Sequence, residues 1–305
     1  MDAGRRTTTA DYATMFRAAH LRFDDRPSIF EDPIAFDILD PAFRGFLRFP
    51  LAFRFVQALW PLRSARTQIL VRSRYAEDRL AEAIRRGVRQ YVILGAGFDT
   101  YALRRPATDP PLAIFELDLE KNQDAKRDRL RDLGQPPPAC VRYAPIDFET
   151  GSVREVLRDA CFDEGQPAFF SWLGVVHYLT RPSVARTLRQ IADCAADGSE
   201  LVFDYRLDAP LSGSGEKERR QVTLATQTRG EAMHAAFGPE EIAGFAERNG
   251  WSLLEDLSPK EQRRRYLAGR ADRLDVFEMF ALAAFVRAPR SATGRASASW
   301  TDRRP

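Results

Sequence analysis

The most constraining feature of this 305-residue chain is a short apolar run, Tyr91-Val92-Ile93-Leu94, that ends on Gly95-Ala96-Gly97. Four apolar residues in a row, without polar alternation, suit a strand buried on both faces, as in parallel sheets. The two glycines remove side chains where the backbone turns, so a ligand can approach the main chain beside the start of the next helix. A second run, Leu112-Ala113-Ile114-Phe115-Glu116-Leu117-Asp118, ends in acids about twenty residues on, where a carboxylate can accept both hydroxyls of a ribose. Strand, glycine turn, helix, strand and acid predict an α/β, Rossmann-like fold with a mostly parallel sheet. Glu116 and Asp118 share a face by period-two alternation, so either can be the ribose ligand; Asp118 is favoured as the nearer to the strand end. Thr100 stands where a dinucleotide-binding turn wants its third glycine, which weakens a nicotinamide reading without removing it.

The alternation continues downstream. Strands are expected over residues 140–144, 168–173 and 201–205, a helix over 182–195, another over 239–249, and two late strands over 251–257 and 277–286. Upstream, residues 66–86 read as a long amphipathic helix with Gly87 at its C-cap. Before it, apolar and charged residues at helical spacing are broken by Pro27, Pro33, Pro41, Pro50 and Pro61, which predicts several short helices, and the Phe- and Leu-rich segment Phe49 to Trp60 reads as one packed on a core. Gly213-Ser214-Gly215 opens a helical segment reaching about Ala236 beside a strand end, a natural lid. The expected organisation is therefore an N-terminal helical cap over 1–65, a core over 66–287 with a lid at about 207–238, and a disordered tail over 288–305, rich in Ser, Ala, Thr and Arg.

Charge narrows the function classes. The 46 Lys+Arg are nearly cancelled by 43 Asp+Glu, leaving +3, so a nucleic-acid partner is not expected. Three well-separated cysteines, Cys140, Cys161 and Cys194, form no C-x-x-C pair, which fits a reducing cytoplasm and gives no metal site. No stretch approaches the ~18 apolar residues of a membrane span, and the first ten residues hold no apolar leader core.

Several motifs taken together resemble the leucine carboxyl methyltransferase-like branch of class I S-adenosylmethionine methyltransferases, a group that includes many bacterial natural-product enzymes. The resemblance spans most of residues 11–287. It is carried by Arg72-Ser73-Arg74-Tyr75-Ala76-Glu77-Asp78, by residues 90–100 around the glycine turn, by Phe115-Glu116-Leu117-Asp118, by Asp147-Phe148 and by Trp172-Leu173-Gly174-Val175-Val176-His177-Tyr178-Leu179. Phe30-Glu31-Asp32-Pro33-Ile34-Ala35 is similar to the family's N-terminal pattern. The resemblance implies that Arg72 binds the methionine carboxylate of S-adenosylmethionine through its guanidinium fork. It further implies that Asp118 holds the ribose, that Asp147 and Phe148 hold the adenine, and that Gly95 and Gly97 line the methionine portion with Asp99 nearby. Many members carry Glu where this chain has Leu173, so the methionine ammonium must find main-chain carbonyls or another acid.

His177 follows the fourth strand, where such enzymes place acceptor-side residues, and its ordinary pKa suits proton removal near neutrality. It is a candidate general base or a packed histidine, and Tyr178 and Tyr205 are candidate acceptor-side groups or pocket walls. The expected activity is methyl transfer to a small-molecule acceptor, with O-methylation favoured. The alternatives are N- or C-methylation, a protein carboxyl acceptor, nicotinamide-dependent oxidoreduction, or a cofactor-binding scaffold without turnover. The sequence leaves the oligomeric state open.

Overall fold

The computed structural model describes residues 9–51, 53, 62–106, 108–228 and 230–287. In chain order its elements are α1 (Thr9–Phe23), α2 (Pro41–Leu47), α3 (Leu62–Arg85), β1 (Gln90–Leu94), α4 (Tyr101–Arg104), β2 (Ala113–Asp118), α5 (Glu120–Asp132), β3 (Val141–Pro145), α6 (Val153–Asp159), β4 (Ala168–Trp172), α7 (Arg181–Cys194), β5 (Glu200–Arg206), α8 (Gly213–Gln227), α9 (Glu241–Glu247), β6 (Trp251–Leu257), α10 (Pro259–Gln262) and β7 (Phe280–Arg287). Among the described residues the strands form a seven-stranded sheet in the order β3-β2-β1-β4-β5-β7-β6. The first five are parallel to their neighbours, and β7 inserts antiparallel between β5 and β6.

Both faces of the sheet are covered, which explains the unbroken apolar runs. Val92 and Leu94 of β1 pack with Phe115, Leu117, Phe170 and Trp172 beneath α6, α7 and α9. Their neighbours Tyr91 and Ile93 face the other way with Ile114, Phe169 and Val202 beneath α3. Helix α7 begins where Thr180 caps the Ser183 N–H and Pro182 occupies the first turn, a position at which proline's missing N–H costs nothing. A helical layer from α1, α2 and the start of α3 has its own apolar centre around Met15, Phe16, Leu39, Leu47 and Phe53.

The strand order reverses direction between β1 and β4, so a crevice opens at their carboxyl ends. The glycine turn, the end of β2 and the loop after β4 all meet there.

Several boundaries differ from the sequence expectation. Helix α8 stops at Gln227 rather than near Ala236, because the chain turns at Gly230, whose φ is +78°. Residues 277–279 are not strand: Phe277 and Met279 are buried against Val222 and Met233, and an apolar run alone cannot distinguish a strand from a buried connection. The helix α10 was not anticipated although Ser258 and Glu261 form a capping box with Pro259 between them. Of the Phe49 to Trp60 segment only residues 49–51 and 53 are described; Phe53 is buried, whereas Phe49 and Leu51 are exposed. The tail expected over 288–305 lies outside the described residues. Among the described residues no helix is long and apolar enough to cross a membrane.

Candidate active site

A cavity of about 510 Å³ occupies the crevice, within the roughly 300–1,000 Å³ typical of small-molecule sites. Its floor starts at the glycine turn, where Gly95 and Gly97 have φ of +75° and +50°. A Cβ on Gly95 would lie 2.3 Å from Val175 Cγ2, and one on Gly97 would lie 3.0 Å from Ala10 Cβ; Val175 and Ala10 both line the cavity. Both conformation and space therefore require glycine at 95. The Gly97 N–H donates to Asp118 Oδ2 at 2.6 Å, while Asp118 Oδ1 accepts from Leu119 N at 2.7 Å and Asn122 Nδ2 at 2.6 Å. A carboxylate has about four acceptor sites, so Asp118 retains capacity for one further donor.

The two acids of β2 differ in what they face. Asp118 lines the cavity, whereas Glu116 is buried beneath it and paired with Lys126 Nζ at 2.6 Å. Thr100 is fully buried and donates to Asp32 Oδ2 at 2.7 Å, while Asp32 also accepts from Arg17 Nε at 2.8 Å. The position where a dinucleotide turn needs glycine is thus used here to tie the N-terminal segment to the turn.

Asp99 caps the Tyr101 N–H at 2.8 Å, and Asp147 caps the Glu149 N–H at 2.9 Å; both line the cavity. Phe148 lies beside Asp147 with its ring 6.0 Å from that of Trp172. Arg72 reaches the cavity from α3 and donates to Asp204 Oδ2 at 3.0 Å. The other oxygen of Asp204 accepts from Gly174 N at 2.5 Å, and a Cβ on Gly174 would lie 2.4 Å from Arg72 Nη2. Leu173 also lines the cavity. The structure thereby brings Arg72, Gly95, Gly97, Asp99, Asp118, Asp147 and Phe148 to one cavity.

A smaller chamber of about 130 Å³ adjoins it, sharing Thr9, Arg72, Gly174 and Tyr178 as walls. His177 lines this chamber and not the larger cavity. Its ring lies 4.3 Å from that of Tyr178 and 5.0 Å from that of Phe280. Burial pushes its pKa down to about 4, against the pull of Asp204, so the sequence argument from an ordinary histidine pKa is corrected. His177 is neutral near pH 7, but it is too weak a base to remove a proton in a prior step. Burial also raises the Tyr178 hydroxyl to about 12.

Tyr205 does not join the site. It is fully buried in the sheet core, with its hydroxyl donating to Asp256 Oδ2 at 2.9 Å. Three other residues escaped the sequence reading: Arg17, which donates to Phe98 O at 2.7 Å; Glu231, which accepts from Thr9; and Asp204. Only Asp204 carried a local signal, as a lone acid within the apolar run of β5.

The model of the leucine carboxyl methyltransferase family matches residues 10–192. A provisionally named S-adenosyl-L-methionine-dependent methyltransferase of Bacillus subtilis (strain 168), YktD, is 33% identical over 211 residues, which cover 68% of this chain and 69% of that protein. A protein of Mycobacterium tuberculosis (strain ATCC 25618 / H37Rv), provisionally named for the same activity, is 31% identical over 206 residues, 64% of this chain and 65% of its own. Among solved structures, a provisionally named methyltransferase from Thermobifida fusca superposes with a TM-score of 0.57 at 17% identity, covering 92% of this chain and 95% of that one. A DUF574 family protein from Streptomyces avermitilis superposes with a TM-score of 0.56 at 15% identity, covering 90% and 97%. These two structures speak to the fold alone. The sequence matches set aside the nicotinamide and scaffold alternatives.

Proposed function

The chain belongs to the leucine carboxyl methyltransferase family of S-adenosylmethionine-dependent methyltransferases, and on that premise we propose that it methylates a small molecule, on oxygen, in the chamber beside the cavity. The observation that carries this reading is the shared wall. Arg72, Gly174 and Tyr178 belong both to the larger cavity, which carries the carboxylates, and to the more apolar chamber, so two molecules of different chemistry can meet there.

The cavity fits the cofactor in size and in donor set. Gly95 and Gly97 line it where the methionine portion would lie, with Asp99 beside them. Arg72 is placed to hold the methionine carboxylate through its fork, Asp118 to accept a ribose hydroxyl, and Asp147 with Phe148 to hold the adenine. Leu173 offers the methionine ammonium no charge, so main-chain carbonyls or another cavity acid, Asp99 and Glu231 among them, take that task. When bound, the cofactor supplies an electrophilic methyl group on a sulfonium. The protein aligns the acceptor oxygen with it and keeps water away, through the described part of the N-terminal helical layer, from Thr9 to Leu47, and the segment between β5 and α9. His177, neutral and facing the chamber, accepts the acceptor's proton as the new bond forms.

Calorimetric titration with S-adenosylmethionine tests the assignment. Asp118→Ala should weaken binding by about 1–3 kcal/mol, the cost of losing charged hydrogen bonds. Unchanged affinity would remove Asp118 from the ribose site. Appearance of S-adenosylhomocysteine together with an O-methylated small molecule would establish the acceptor class, and methylation of a protein carboxylate in its place would refute it.

A further inference from the structure

The chamber's walls restrict what can enter. Tyr12 and Phe16 of α1, Ala65 of α3, Val222 of α8, and Phe277 and Phe280 present carbon surface. Its volume of about 130 Å³ is close to the ~150 Å³ of an engineered apolar cavity that holds benzene. A single six-membered ring fills such a space.

Among the polar side chains that line the chamber, two carry a buried atom without a partner. His177 is 3% exposed, its Nδ1 is buried without a partner, and the imidazole hydrogen-bonds to nothing among the described residues. Gln68 is equally buried; its Nε2 donates to Gln262 at 3.3 Å while its Oε1 is unpartnered. Thr226 is already committed to Thr223 O at 3.0 Å. Leaving a buried polar atom unpaired is costly; Gln68 Oε1 can only accept and a neutral imidazole offers one accepting nitrogen, so these positions favour a ligand that brings a hydrogen-bond donor.

Charge excludes a second class. Arg72 is the cation on the chamber wall, and it is neutralised by Asp204 at 3.0 Å. Apart from the cofactor's sulfonium beyond the shared wall, an anionic acceptor would meet no uncompensated cation among the chamber's side chains, and its burial there is disfavoured relative to a neutral one.

Resting on the proposed methyl transfer, we infer that the acceptor is a neutral phenol: one ring seated among Tyr12, Phe16, Val222, Phe277 and Phe280, its hydroxyl at the wall shared with the cofactor cavity. This departs from the carboxyl acceptor in the family's name. In the step, the phenol oxygen forms a bond to the methyl carbon as the carbon–sulfur bond breaks. The electron pair of that bond stays on sulfur, which becomes a neutral thioether, and the hydroxyl proton passes to the imidazole of His177 and then to water.

The test uses two probes of one shape and different charge, 4-methylphenol and 4-methylbenzoate. Their binding to the full chain is followed by ligand-observed NMR with and without S-adenosylhomocysteine, whose own affinity is read by calorimetry on the same samples. Saturable binding of 4-methylphenol, at least tenfold tighter than that of 4-methylbenzoate, is expected. Val222→Trp, from a partly buried site on α8, should fill the chamber and weaken the phenol at least tenfold while S-adenosylhomocysteine binds within twofold of wild type. Met233→Trp provides the same block from a different segment should Val222→Trp not fold. Benzoate binding as tight as the phenol, no phenol binding, or phenol binding indifferent to the folded blocking variant would each overturn the inference. Absent affinity for S-adenosylhomocysteine would instead strike the cofactor assignment, and the probe comparison made without it would still decide the chamber.

Discussion

The floor and the roof of the cavity are built on different physical terms. On the floor, each carboxylate is held by a neighbouring main-chain N–H: Asp118 by Gly97 and Leu119, Asp99 by Tyr101, Asp147 by Glu149, Asp204 by Gly174. These N–H groups lie in the turns and the helix start that follow the strands, so acceptor positions are fixed before any ligand arrives. The roof is joined by side chains reaching between distant segments, such as Thr9 to Glu231 across 222 positions and Arg17 to Asp32. A floor set by backbone gives position and charge. A roof set by side chains can yield to admit a molecule and close again.

Breaking the floor should cost most. Asp204→Ala leaves Arg72 without its counter-charge and the Gly174 N–H without an acceptor, and removing one partner of a buried pair costs about 3–5 kcal/mol. Urea unfolding measures this directly. A loss below about 1 kcal/mol would mean that the floor is not held as described.

Acid should come next. The His177 pKa lies near 4 in the folded chain against 6.5 ordinarily, so the unfolded chain takes up the proton first. The stability this histidine contributes is complete above pH 6.5 and is lost as pH falls towards 4, on the order of 3 kcal/mol in all. Comparing wild type with His177→Asn by unfolding at pH 7 and pH 4.5 isolates it, and an equal acid loss in both would place the effect elsewhere.

Arg72→Lys keeps the charge but loses the planar fork, so S-adenosylmethionine affinity should fall by about 1–2 kcal/mol. Affinity equal to wild type would exclude a two-pronged contact. The smallest effect belongs to the roof: Glu231→Gln should change unfolding free energy by less than about 1 kcal/mol, as for partly exposed pairs. It should show instead as faster release of S-adenosylhomocysteine in stopped-flow measurements. A stability loss as large as that of Asp204→Ala would erase the distinction between the two regions.

The same division explains what the sequence revealed. Gly95, Gly97 and Asp118 were legible because a parallel strand buried on both faces announces itself as an apolar run, and these cavity-lining residues stand at or just beyond such ends. The elements that packing assembles from afar were not. Asp204 meets Arg72 across 132 positions, and no local pattern pairs them. Tyr205, next in line on β5, looks equally chemical in sequence, yet alternation turns it into the core, where it bonds Asp256. His177 was placed correctly after β4, but its low pKa comes from burial beneath residues such as Phe280, more than a hundred positions away.

The segment between β5 and α9 leaves the sheet and returns beside its own starting point. Asp208 N donates to Phe237 O at 2.8 Å, Phe237 N donates to Arg206 O at 2.9 Å, and Leu207 bridges Phe237. An excursion fastened at its root has already met the entropy of closing its ends, and doubling the length of such a loop costs only about 0.6 kcal/mol more. Changes of length in its exposed part should therefore be tolerated by β5 and its partners, provided the side chains that cover Phe277, Met279 and Phe280 are kept. Val222 and Met233 of the chamber wall and Glu231 of the cavity all lie within that stretch, so substitutions confined to one continuous segment would reshape both spaces.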